Sequence, residues 1–163
     1  MTSAVILFLA GLLALSAAHK VLARDRMALS VARLTGFSLP IAGLVLIAVT
    51  CIEGVLALSL MLSPLATAGA VGAAALWTLY AGALLRRRGE SLDCGCDLMA
   101  RKQPVDGFTI VRPLVPAGLA VAAALLPRGA WTLDAPFAAA AFLALWFAAG
   151  ELHSLHSLRV VRS

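Results

Sequence analysis

Five largely apolar stretches decide what this chain can fold into. They run roughly from Ala4 to Leu22, Leu39 to Leu62, Leu65 to Leu85, Phe108 to Leu126 and Ala135 to Leu152. A helix that crosses a bilayer needs about 20 residues at 1.5 Å each. The first three meet that length comfortably; the fourth is crowded at its start by Arg112, Pro113 and Pro116. Proline is tolerated in a first helical turn, so Pro113 is read as marking a helix start. Inside hydrocarbon every backbone polar group needs an internal partner, which leaves helices for segments of this kind. The expectation is an all-α integral membrane protein, a four- to five-helix transmembrane bundle that forms one domain over the 163 residues.

Composition supports this. The chain is 62% hydrophobic and only 13% charged, against about 45–50% and about 25% in soluble domains. So few charges cannot coat a water-soluble globule, which argues against a soluble enzyme and against a disordered chain. The net charge is +5. No basic run is interleaved with exposed aromatics, so the expected partner is a lipid bilayer and not a nucleic acid.

The charges sort by side. Lys20 to Ser38 and Arg86 to Gly107 are long polar connections; Ser63-Pro64 is a tight turn, and Pro127 to Asp134 carries only Arg128. Of the 13 basic residues, all but Arg128 therefore fall on one face. The positive-inside rule puts that face in the cytoplasm, with the N-terminus outside and the C-terminus inside. The first span lacks a basic leader, so it reads as a retained span rather than a cleaved signal peptide.

The sharpest chemical feature is Asp93-Cys94-Gly95-Cys96-Asp97, in the longest polar loop. Two thiols one residue apart can close a small ring, and the intervening glycine supplies the necessary backbone freedom. A strained disulfide is labile, which suits a redox pair. The flanking Asp93 and Asp97 oppose thiolate formation, while Arg86 to Arg88, Arg101 and Lys102 favour it. A soft metal-binding pair and two free loop cysteines are the other readings of the same spacing.

Glu53 lies near the middle of the second span, where a carboxylate is costly and usually functional. If charged it needs a partner in the bundle interior, and His19 and Lys20 are the nearest candidates in sequence; if neutral it is a protonated carboxyl satisfied locally, kept so by desolvation. Cys51, two residues away, falls on roughly the opposite side of the helix and reads as a small buried hydrophobe, with a resolving thiol as the other reading. His153 and His156 are three apart near Glu151, and two histidines alone do not make a metal site. Trp131 fits an interfacial belt, while Trp77, Tyr80 and Trp146 read as helix packing.

These elements, in order, resemble the MauE family of methylamine-utilisation membrane proteins and the wider MauE/DoxX-like redox-associated group. The matching residues are Ser16-Ala17-Ala18-His19-Lys20-Val21-Leu22, then Glu53-Gly54-Val55-Leu56, then Arg86 to Cys96, and an arginine at the fourth span, Arg112. The Asp-Cys-Gly-Cys block is the specific part. The family often continues it with Phe-Gly, where this chain has Asp97-Leu98, and often has Arg-Asn at the fourth span, where this chain has Arg112-Pro113.

The resemblance implies a DoxX-like bundle in the bacterial inner membrane. It also implies thiol–disulfide chemistry by Cys94 and Cys96 in maturing the exported methylamine dehydrogenase small subunit. The partner would be a thioredoxin-like companion, MauD, and no cofactor or metal is expected. Glu53, His19, Lys20 and Arg112 would support the site by position. The charge count puts Cys94 and Cys96 on the cytoplasmic side, whereas that substrate matures outside. Passage of reducing equivalents across the membrane, from a cytoplasmic donor to an external partner, would reconcile the two, as would failure of the charge rule in this chain.

Overall fold

The computed structural model describes residues 2–92, 103–127 and 132–160. Its main elements are α1 (Thr2–Leu22), α2 (Arg24–Thr35), α3 (Leu39–Met61), α4 (Ala66–Arg86), α5 (Gly107–Val111), α6 (Leu114–Leu125) and α7 (Ala135–Val160). Among the described residues, five helical stretches are long and apolar enough to cross a membrane: Thr2–Leu22, Leu39–Met61, Ala66–Arg86, Gly107–Leu125 and Ala135–Ser154. The predicted all-α membrane bundle is what forms.

α1, α3, α4 and α6 close a ring, each packing on the next, and α7 docks against the outside of α1. The centre is built from small side chains. Ala70, Ala73 and Ala74 of α4 and Ala117, Ala120 and Ala123 of α6 are buried together with Leu9 and Leu13 of α1. Close approach gives such helices their packing contacts, since lipid supplies no hydrophobic drive between them. The closest approach to a neighbouring backbone is at Gly69, where a Cβ would lie 3.0 Å from the Leu60 backbone nitrogen. Large apolar residues point outward instead, among them Leu44, Leu58, Leu79 and Leu145. That inversion suits a surface meeting acyl chains rather than water.

Two connections differ from a plain reading of the sequence. The polar stretch after α1 is not an irregular link but the helix α2. Its charges conceal a helical period in Met27, Val31 and Leu34, with Met27 buried. The helix leaves α1 through non-helical Ala23 and stops at Gly36, whose φ of 79° is the left-handed conformation that glycine adopts freely. The fourth span is broken into α5 and α6. Pro113 and Pro116 have no N–H to continue the ladder, so α6 begins afresh with Pro113 as its N-cap.

The long polar loop is fastened at its roots. Ser91 pairs with Pro104 and Leu92 with Gln103 in a short antiparallel ladder. Gly89 N–H donates to Val105 O (3.0 Å), and Val105 N–H donates to Glu90 O (2.9 Å). Val105 itself is buried against Leu84, with Leu34 and Ile110 packed around them. The loop residues Asp93, Cys94, Cys96, Asp97, Arg101 and Lys102 lie outside the described residues, as do Arg128 and Trp131.

Candidate functional site

A carboxylate in the second span needs cations or hydroxyls to replace its lost water. Glu53 is fully buried, at 0% exposure, and finds both. Lys20 Nζ lies 2.7 Å from its Oε1 and 2.9 Å from its Oε2. The third ammonium hydrogen goes to Ser16 Oγ at 2.6 Å, so all three Lys20 donors are used. Ser16 Oγ donates on to Glu53 Oε1 (2.9 Å). Tyr80 OH, from α4, donates to the same oxygen at 2.7 Å. The Lys20 ammonium also stands 5.5 Å from the Tyr80 ring centroid, within cation–π range. One buried ion pair thus joins α1, α3 and α4.

Of the two partners proposed for Glu53, the structure selects Lys20. Ser16 and Lys20 are four apart and share a helix face, whereas His19 is turned away from it. His19 Nε2 instead lies 3.1 Å from Arg26 Nη2. A guanidinium can only donate, so Nε2 is the acceptor in this contact. Cys51 requires a correction: it is exposed on the outer surface of α3, not buried. Glu53 takes the inward face two residues on, and Cys51 faces the region of lipid. Tyr80 is more than packing, because its hydroxyl completes the carboxylate.

A second polar contact lies just after the loop. Asp106 caps α5, accepting from Thr109 N and Thr109 Oγ1, both at 2.8 Å. Its other oxygen accepts from His153 Nε2 at 2.8 Å, and the His153 ring stacks on Phe108 with centroids 4.1 Å apart. The spacing Asp106-x-x-Thr109 was the available signal for this cap. His153 is therefore engaged across to α5. His156 lies in the part of α7 whose side chains are not described.

Partial burial pushes the Asp106 carboxyl up. The Thr109 backbone and hydroxyl bonds, with those to His153, outweigh that and hold it below its ordinary 3.8. A depressed carboxylate contributes stability that is complete above 3.8 and is lost as pH falls through its lower folded-state value. Asp106→Asn keeps an acceptor for Thr109 but cannot titrate. The wild type's thermal advantage over this variant should therefore shrink as pH is lowered from about 5 to about 3. Parallel melting curves across that window would remove Asp106 from the account.

Arg112 stands at the break between α5 and α6. Its guanidinium lies 5.2 Å from the Trp146 ring and Nη2 reaches the Trp146 carbonyl at 3.5 Å. Gly150, one turn further along α7, leaves the room: a Cβ there would meet the guanidinium at 2.6–2.9 Å. Arg112 thus fastens the broken span to α7. The structure does not bring it to Glu53. Among the described residues no group of three His, Cys, Asp or Glu side chains could hold a metal ion.

The fold and these contacts define a class: a multi-pass helical membrane protein with an intramembrane ion pair and a fastened polar loop carrying two thiols. A sequence model of the family described as "Methylamine utilisation protein MauE" matches residues 1–126, and the chain belongs to that family. A curated relative, "Methylamine utilization protein MauE" of Paracoccus denitrificans, is 43% identical over 77 residues. That match covers 45% of this chain and 41% of the relative, so less than half of the relative's length is matched. No solved structure matches.

Proposed function

We propose that this chain is a membrane thiol–disulfide redox protein of methylamine utilisation. It would assist disulfide formation in an exported enzyme, the methylamine dehydrogenase small subunit, through a thioredoxin-like partner. The observation that carries the reading is the Asp93-Cys94-Gly95-Cys96 sequence in a loop whose two roots are paired at Leu92 and Gln103. Membership of the MauE family supports it. The paired roots stand at the same end of the bundle as α2 and the C-terminus of α4.

In the exchange step one loop thiolate attacks a sulfur of the partner's disulfide. A mixed disulfide forms and the partner's second sulfur leaves as thiolate. The other loop thiol, losing its proton, then attacks the loop sulfur of the mixed disulfide and releases the partner's first sulfur. Two electrons have passed to the partner and the loop holds a disulfide. Disulfide formation in the exported enzyme uses the same path in reverse, the loop disulfide accepting two electrons from the partner dithiol. The 12-to-1 distribution of basic residues favours a cytoplasmic loop and an external N-terminus; direct exchange with a partner outside the membrane requires the opposite orientation, or else transfer of the electrons across the membrane.

The test is non-reducing electrophoresis after acid quenching of cells. Wild type should show a loop disulfide that dithiothreitol removes. Replacing the resolving cysteine of the pair with Ser should trap a covalent complex of higher mass, and replacing both should abolish that complex. A complex that persists in the double Ser variant would overturn the reading.

A further inference from the structure

The thiol loop rejoins the bundle through Val105 and Asp106, and the two residues are held differently. Val105 is fastened by backbone bonds to Gly89 and Glu90 and by burial against Leu84. Asp106 is fastened through its carboxylate, whose two oxygens have separate tasks. Oδ1 caps α5, accepting from Thr109 N and Thr109 Oγ1 at 2.8 Å each. Oδ2 accepts from His153 Nε2 on α7, also at 2.8 Å. A shift of Asp106 carries Val105 with it, because the two are neighbours in the chain.

The helix that follows cannot fix this root by itself. α5 has five residues, well below the about 12–15 that an isolated helix needs. Pro113 and Pro116 break its ladder before α6. α7 supplies support from outside through one side chain. The His153 ring stacks on Phe108, with centroids 4.1 Å and planes 23° apart, while its Nε2 holds the cap residue. His153 thus grips both the cap and the first turn of α5. The contact of Arg112 with Trp146 lies at the far end of α5 and does not touch the root. The side chains of His153 and Asp106 are 27% and 38% exposed. Loss of a bond so placed should loosen the root without unfolding the bundle.

We propose that His153 is a positioning residue for the thiol loop. Acting through Asp106, it fixes the loop's second root, so that the end of α7 sets where the loop joins the bundle. The proposal rests on the thiol reading for the chemistry of the loop, and on the contacts alone for the tie.

The test cuts the tie from both sides. His153→Phe keeps a ring over Phe108 and removes the N–H. Asp106→Ser keeps a cap for Thr109 N but is too short to reach α7. Hydrogen exchange of the detergent-purified full chain, read by mass spectrometry, follows peptides that contain Gly89 and Val105, with a Glu53 peptide as reference. In both variants the root amides should exchange about tenfold faster, as expected for loss of one partly exposed, charge-linked hydrogen bond. The Glu53 peptide should not change. His153→Gln carries a donor near the place of Nε2 and should bring the root back to within about twofold of wild type. The second readout is the rate at which the chain with its resolving cysteine replaced by Ser forms the trapped complex. His153→Phe should slow that rate about tenfold, because a displaced root misplaces the reacting sulfurs, and His153→Gln should restore it. Unchanged root exchange in both variants, no recovery with Gln, or a loosened root with undiminished complex formation would each overturn the proposal. So would an equal rise in exchange at Glu53, which would mark general destabilisation. If no complex forms even with His153 in place, the thiol reading fails, and root exchange with the Gln rescue decides the tie alone.

Discussion

Lys20→Met is expected to destabilise the bundle by about 3–5 kcal/mol, the cost of leaving one member of a buried ion pair uncompensated. Met retains most of the lysine's length and apolar volume, so the loss is electrostatic rather than a cavity. Glu53 would keep Ser16 and Tyr80 as donors but lose the cation that touches both its oxygens. The double variant Lys20→Met/Glu53→Gln should recover most of the loss. Removing both charges together is often neutral, and Gln still offers an oxygen to Tyr80 and Ser16. Unfolding in mixed detergent micelles, followed by tryptophan fluorescence and far-ultraviolet circular dichroism, measures both. If Lys20→Met is as stable as wild type, the ion pair does not hold the folded bundle together.

Glu53 and Lys20 also show how far the sequence could be read. A lone carboxylate in an apolar span demands an interior partner, and few cations lie near enough to supply one. Choosing Lys20 over His19 needed the helical phase that Ser16 shares, which the fold makes plain. Tyr80 was out of reach, because the contact joins residues 27 apart and no pattern in α4 says which residue will face α3. Helix α2 was hidden by charge density: Met27, Val31 and Leu34 carry its period, yet polar neighbours make the stretch look like a loop. Cys51 was misplaced by a rule from soluble proteins, where apolar surroundings mean the interior. In a membrane bundle the apolar exterior is the larger surface, and the interior is where Glu53, Lys20 and small alanines gather.

On the proposed thiol reading, Cys94→Ser/Cys96→Ser is expected to reduce maturation of the exported enzyme to the level of a deletion strain, while Cys51→Ser leaves it at wild type. The contrast follows from surroundings. Cys94 and Cys96 belong to a polar loop bracketed in sequence by Arg86–Arg88 and by Arg101 and Lys102, cations that favour the thiolate. Cys51 faces outward from a membrane-crossing helix, apart from that loop. The loss would not be one of folding. The roots of the loop are held by the Gly89, Glu90 and Val105 backbone bonds and by Val105 packing against Leu84, and none of these involves a sulfur. The double variant should therefore match wild type in helical content and in detergent-unfolding midpoint while failing in maturation. Normal maturation with both thiols gone would show that the chain serves its partner without redox chemistry of its own. An equal fall in stability and maturation would mean that the pair is a staple.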